Sequence, residues 1–264
     1  MQLQDKVALV VGASQGAGRA YVVALAREGA KVIAAARTQT DPSEPDSTST
    51  LEGIAREAAR EGLAVDTIAC DVERDADVRD MVERTVGNHG RIDVVVFSVG
   101  IYQRHDALTI TAEEWDRVMA VNVRSAYYVV RSVVPHMLAQ GSGSIVLLTS
   151  ACADTTGGAS GHQDLLMYGI SKAAVNRLTT WFADEFRPDG IAVNALSPGT
   201  TLTQTMRRLY PEKYKEHLKA GFGNLPTPEV LGPPIIYLAQ QSAKTLTGQI
   251  LHQNTFGSGW GPRE

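Results

Sequence analysis

Apolar and polar positions follow two rhythms along this chain. Short, nearly continuous apolar runs rich in β-branched residues read as buried strands. They are VALVVG (Val7–Gly12), KVIAAA (Lys31–Ala36), AVDTIAC (Ala64–Cys70), a run inside Arg91–Gly100, GSIVLLTS (Gly143–Ser150), GIAVNALSPG (Gly190–Gly199) and the short QILHQN (Gln249–Asn254). Between them lie segments of helical spacing: Gly16–Glu28, Leu51–Glu61, Asp75–His89, Ala112–Gln140 and Asp164–Phe186. Gly29 and Ala30 close the first helix, and Pro135 kinks the long fourth one or marks its last turns. Strict alternation of strand and helix predicts an α/β fold, a doubly wound parallel sheet with helices on both faces. Two stretches interrupt it. Thr38–Thr50, rich in Pro, Ser, Thr and Asp, reads as a mobile loop. Thr200–Gly223 reads as helical, with Met206, Leu209, Tyr210 and Phe222. Following the sixth strand, it is placed to cover the crevice beyond the strands' carboxyl ends. Neither a domain boundary nor a repeat is visible, so residues 1–264 read as one domain.

Bulk properties narrow the function classes. The chain has 264 residues, 44% hydrophobic, with a net charge of -4. That is ordinary globular composition, and with no dense basic run it argues against nucleic-acid binding. Cys70 and Cys152 are its two cysteines, in no metal-ligand spacing. Thiols this sparse suit a reducing compartment rather than a disulfide framework. His105, His136, His217 and His252 share no metal-binding spacing, so no metal site is expected. The N-terminal MQLQDKVALVVGAS lacks the pattern of a signal peptide, and no apolar run is long enough to span a bilayer. These readings place the protein in the cytoplasm, without nucleic-acid or membrane partners.

The first strand runs into GASQGAG, which places Gly12, Ser14, Gln15, Gly16, Ala17 and Gly18 at the first turn between strand and helix. The spacing G-x-x-x-G-x-G differs from the G-x-G-x-x-G dinucleotide fingerprint, but the physics is similar. Glycines let the backbone turn tightly and approach a pyrophosphate resting on a helix N-terminus. NAD sites usually carry an acid at the end of the second strand to hold the ribose 2′-hydroxyl. Here that position is Ala36, followed by Arg37. A guanidinium with no neighbouring acid there can grip a 2′-phosphate, so NADP(H) is preferred, with NAD(H) the alternative. Asp71 either accepts from the adenine amino group or caps the following helix.

The stretch MYGISKAAV holds Tyr168 and Lys172 four residues apart, on one face of a helix. An ammonium beside a phenol favours the phenolate and lowers the tyrosine pKa. A free tyrosine titrates near ~10, and bringing it to ~7 takes roughly 4 kcal/mol. Such a tyrosine is a useful proton donor or acceptor at neutral pH.

Taken in order along nearly the whole chain, these pieces resemble the Rossmann-like short-chain dehydrogenase/reductase family. GASQGAG matches its cofactor loop, YGISK its Tyr-x-x-x-Lys pair, Ser150 its active-site serine and Asn122 an asparagine on its central helix. Asp71-Val72 matches its adenine-side motif, and Asn194 with Ser197–Gly199 the segment after the sixth strand. The resemblance implies that Tyr168 is the general acid/base, and that Lys172 lowers its pKa and bonds the nicotinamide ribose. It implies that Ser150 holds the substrate oxygen and that Asn122 supports a water in a proton relay. It also places Gly100, Pro198, Gly199, Thr201 and Thr203 near the cofactor. An oligomer, tetramer or dimer, is implied through the two helices Ala112–Gln140 and Asp164–Phe186.

Several positions depart from that pattern. Val11 stands where the family often has Thr, and Phe97-Ser98-Val99-Gly100 replaces Asn-Asn-Ala-Gly, so bonds steadying the sheet must be made otherwise. Thr201 replaces an aliphatic residue. Ala151–Met167 is longer than usual and contains His162. Cys152 reads as a small buried thiol, and Trp115, Trp181 and Trp260 as packing residues. The expected activity is interconversion of a ketone and a secondary alcohol. A 3-oxoacyl thioester reductase is the nearest alternative, with Arg207, Lys213 and Lys215 available to an acidic arm. An enoyl reductase is disfavoured because its Tyr and Lys stand further apart. A cofactor-binding regulator without catalysis is the rival from another class, motivated by the altered FSVG segment.

Overall fold

The computed structural model describes residues 1–40, 49–103, 106–153, 164–202 and 226–262. Seven strands join one sheet: β1 (Val7–Val11), β2 (Lys31–Ala36), β3 (Val65–Ala69), β4 (Val94–Phe97), β5 (Gly143–Leu148), β6 (Ile191–Ser197) and β7 (Ile250–His252). Their order is β3-β2-β1-β4-β5-β6-β7, every pair parallel. Winding proceeds outward in both directions from β1 and β4, so the crevice between their carboxyl ends is the topological switch point. The helices are α1 (Gly16–Arg27), α2 (Leu51–Glu61), α3 (Asp75–His89), α4 (Ala112–Met119), α5 (Ser125–Gln140), α6 (Leu166–Phe186) and α7 (Gly232–Ala239).

Strands buried on both faces explain why the apolar runs are nearly continuous. Leu9, Val95, Phe97 and Ile145 point to one side, with Met81, Val133, Met137 and Phe182 of α3, α5 and α6. Val10, Val32 and Val96 point to the other, with Tyr21, Leu25, Ile54 and Leu238 of α1, α2 and α7. Side chains alternate across the sheet, so consecutive residues such as Leu9 and Val10 supply opposite cores.

The bounds of β2, α2 and α3 are those expected, and the other strands are trimmed at their ends. Two differences matter. The long helix Ala112–Gln140 is interrupted by a π-turn, Ala120–Arg124, while Pro135 lies within α5 without ending it. And α7 was not anticipated. Gly-Pro-Pro opens it, which resembles a loop, yet proline fits a first helical turn because its missing N–H would have no partner there. Its near-continuous apolar sequence also hides any helical period; α7 packs on α1.

Residues 41–48 of the expected loop Thr38–Thr50 lie outside the described residues, as do residues 203–223 of the expected covering segment Thr200–Gly223. The described end of the former is ordered by α2, whose N-cap Thr50 accepts from the Gly53 amide at 3.0 Å. Among the described residues no helix is long and apolar enough to cross a membrane.

Candidate active site

β1 delivers the chain into the glycine loop at the switch point. Gly12 has φ 87°, and its N–H and that of Ala13 both donate to the Ala35 carbonyl, at 2.8 and 3.0 Å. A Cβ on Gly12 would lie 2.9 Å from backbone atoms of Ser98 and Val99. A Cβ on Gly18 would run into the Gly12 carbonyl, with its carbon 2.9 Å away. Three backbone segments therefore meet here with no room for a side chain. At Gly16 α1 begins with no side-chain cap from Gln15 and no acid in its first turn. Its first N–H groups and positive dipole end are presented forward, as an anion site requires.

A cleft of about 370 Å³ runs across these carboxyl ends. Gly12, Ser14, Gln15 and Ala17 line its middle; Arg37, Asp71 and Val72 the side beyond β2 and β3; and Gly100, Tyr168, Lys172 and Pro198 the side beyond β4 and β6. Among the described residues Arg37 has no carboxylate partner, and it is exposed to the cleft. The shape and donors fit an extended dinucleotide with a 2′-phosphate at the Arg37 end. Gly16, Gly18, Asn122, Ser150, Gly199 and Thr201 do not line this cleft, and Thr201 is buried. Thr203, like His105, His162, Met206, Arg207, Leu209, Tyr210, Lys213, Lys215, His217 and Phe222, lies outside the described residues. Asp71 does not cap a helix: the N-cap of α3 is Arg74, and Asp71 Oδ1 accepts from the Glu73 amide at 3.1 Å.

Tyr168 and Lys172 occupy the first turns of α6. Lys172 is 3% exposed, donates from Nζ to the Leu148 carbonyl at 2.8 Å, and stands 5.6 Å from the Tyr168 ring centroid. Gly100 faces this ammonium; a Cβ there would lie 3.2 Å from Nζ. Burial lowers the Lys172 pKa to about 8. Tyr168 does not show the lowering expected from its lysine. Burial pushes its pKa up to about 12, the nearby Cys152 thiol also raises it, and a hydrogen bond with Ser150 pulls the other way. The desolvation of a half-buried phenol outweighs an ammonium that lies over the ring rather than at the hydroxyl.

Asn122 sits in the π-turn and is fully buried. Its Oδ1 accepts from the Ile101 amide at 2.8 Å, and its Nδ2 donates to the Ile101 carbonyl and to Ser171 Oγ, both at 2.9 Å. Ser171 Oγ in turn donates to the Tyr168 carbonyl at 2.8 Å. The Asn122 amide thus joins the segment after β4 to the start of α6, and both of its N–H groups are committed to protein partners.

The departures from the family pattern are accommodated by backbone. The Ser98 amide donates to the Val11 carbonyl at 2.7 Å, and Phe97 is wholly buried among the apolar residues of its face. Asn194 ties β6 to the turn before β7, donating to the Leu246 carbonyl at 3.0 Å and accepting from the Gln249 amide at 3.1 Å. Cys152 is only partly buried, contrary to expectation. Trp181 is 57% exposed and Trp115 is also exposed, so neither is a core residue; Trp260 packs with Tyr237 and Phe256. Among the described residues no three of His, Cys, Asp or Glu gather as metal ligands.

Sequence reasoning missed Ser98, Ile101, Tyr102, Arg117 and Thr149, all of which line the cleft. The segment Ser98–Tyr102 follows a strand at the switch point, and that position alone was a usable signal. Arg117 lies one helical turn before Val121 on α4, where nothing in the sequence distinguishes it from other exposed arginines.

Comparison with known proteins gives consistent likenesses. A family profile described as Enoyl-(Acyl carrier protein) reductase matches residues 12–255. A 3-oxoacyl-[acyl-carrier-protein] reductase of Thermotoga maritima is 34% identical, covering 95% of this chain and 97% of its own. Human dehydrogenase/reductase SDR family member 4 is 31% identical over 94% of this chain and 85% of its own. A crystal structure from Beutenbergia cavernae, provisionally described as an NAD(P)-dependent gluconate 5-dehydrogenase with NADP at low occupancy, superposes with a TM-score of 0.80. It is 30% identical and covers 95% of this chain and 96% of its own.

Proposed function

Because the chain belongs to the short-chain dehydrogenase/reductase family of oxidoreductases, we propose that it is an NADP(H)-dependent ketoreductase acting between a ketone and a secondary alcohol. The observation that carries this reading is the single cleft joining Arg37 at one end to Tyr168 and Lys172 at the other. NADP on a structural relative supports the cofactor choice.

Reduction of a carbonyl adds one hydride at carbon, which the dinucleotide supplies when bound, and one proton at oxygen, which Tyr168 Oη delivers. With its pKa raised, Tyr168 holds that proton at neutral pH and is available as the acid. Ser150 Oγ hydrogen-bonds the phenol and holds the substrate oxygen beside it. Lys172 uses one N–H on Leu148, keeps others for a ribose hydroxyl, and stabilises the phenolate left after proton transfer. Gly12–Gly18 and the start of α1 hold the pyrophosphate, Asp71 and Val72 the adenine side, and Arg37 the 2′-phosphate. Gly100 and Pro198 complete the nicotinamide side. Asn122 acts by holding Ile101 and the start of α6 in place.

The name of the Thermotoga relative supports a second reading, reduction of a 3-oxoacyl thioester. An enoyl reductase remains disfavoured, because Tyr168 and Lys172 are one helical turn apart. We also infer a homo-oligomer built on the outer faces of α5 and α6, where Tyr127, Leu138, Ile170 and Trp181 are exposed, and a reducing, cytoplasmic setting for the two free thiols.

The test is loss of reduced-nicotinamide absorbance with simple ketones and with a 3-oxoacyl thioester, using NADPH and NADH side by side, for wild type and Tyr168→Phe. NADPH-preferring turnover that vanishes in the variant is expected. Turnover surviving in Tyr168→Phe would sink the acid assignment. NADPH binding without any turnover favours the regulator reading.

A further inference from the structure

The residue that turns toward the proposed acid from across the cleft is Tyr102. Its ring lies edge-on to that of Tyr168, centroids 5.7 Å apart and planes at 60°. It lines the same cleft as Lys172 and Gly100, yet it is 42% exposed. Its backbone approach is rigid: Ile101, the preceding residue, is held at both N–H and C=O by the buried Asn122 amide. One polar side chain in a π-turn thereby fixes the backbone that leads into this ring.

A ketone whose oxygen accepts from Tyr168 Oη carries its two substituents within a few bonds of that oxygen. The Tyr102 ring lies within that reach of Tyr168. Aromatic groups prefer edge-on or offset contacts at about 4.5–7 Å between centroids, and gain most when the surface they meet is already ordered. A held, partly uncovered ring beside the acid is such a surface.

We propose that Tyr102 is a specificity-determining residue: its uncovered ring surface is the wall against which an aryl or other flat apolar substituent of the ketone packs. The inference rests on the ketoreductase reading of the same cleft and deepens it by naming a substrate class. Among the described residues Tyr168 is faced by Lys172 from its own helix, Ser150 and Cys152 from beyond β5, and Tyr102 from beyond β4, and of these Tyr102 alone is aromatic.

The experiment measures dissociation constants of acetophenone and butanone for the enzyme saturated with NADP⁺, a complex that cannot reduce either ketone. Wild type, Tyr102→Ala, Tyr102→Leu and Tyr102→Phe are compared. Wild type should favour acetophenone, and Tyr102→Ala should weaken acetophenone about tenfold while moving butanone by less than about twofold. Tyr102→Phe should restore the preference, and Tyr102→Leu should fall between. Equal losses for the two ketones, no loss at all, or a wild type without preference for acetophenone would each overturn the proposal. The ketoreductase reading fails separately, through turnover that survives in Tyr168→Phe, because the binding comparison needs no turnover.

Discussion

Two glycine-to-alanine substitutions should have opposite signs, and the reason lies wholly in what surrounds each Cα. Gly18, in the first turn of α1, has no space: a Cβ would run into the Gly12 carbonyl, with that carbon at 2.9 Å and Ser98 Oγ at 3.2 Å. The obstacle is backbone, so either the glycine loop or α1 must move. Overpacking of this kind costs about 1–3 kcal/mol. At roughly 2–4 °C per kcal/mol for a chain of this size, Gly18→Ala should melt about 2–12 °C lower. The displaced loop is also the proposed pyrophosphate cradle, so NADPH should bind at least about tenfold more weakly. Gly87, on the exposed face of α3, has nothing within 4 Å of its would-be Cβ. Alanine there removes the entropy cost of a helical glycine and should stabilise by about 0.5–1 kcal/mol, with NADPH affinity unchanged. Calorimetric melting and isothermal titration with NADPH check both variants together. A Gly18→Ala protein that melts within about 1 °C of wild type and binds NADPH equally well would refute the claim that three backbones converge at this point.

Lys172 makes stability depend on pH. Burial lowers its pKa from 10.5 to about 8, so between those values the unfolded chain holds a proton that the folded chain has released. Stability therefore rises with pH across that window, by roughly 3 kcal/mol in all, and is not gained below it. In denaturant titrations the wild type should gain on Lys172→Met from about pH 8 toward pH 10; a constant difference over that range contradicts the buried-cation reading. Arg37→Ala should weaken NADPH by about tenfold or more and NADH by less than about twofold, since a charge-assisted bond to phosphate is worth about 1.5–3 kcal/mol. Equal losses for both cofactors, measured by fluorescence titration, would place the 2′-phosphate elsewhere.

Much of this molecule is legible in the chain alone, because its signals are local. Buried parallel strands must be apolar on both faces, so VALVV, KVIAAA and GSIVLL announce themselves. A glycine loop between a strand and a helix, and a tyrosine four residues before a lysine, are read from spacing within one element. The residues that surround the phenol could not be read that way. Whether Lys172 depresses the Tyr168 pKa depends on where Nζ settles relative to the ring and on how much water each group loses, and both are decided by Leu148, Ser150 and Cys152. The π-turn that carries Asn122 leaves no mark in the sequence, since one helical register accommodates it without changing residue types. Tyr102 and Arg117 enter the cleft only because β4 and α4 are brought to the switch point by sheet order. And α7, opening on two prolines, is a helix because α1 offers its apolar residues a surface to bury, a gain that local propensity does not contain.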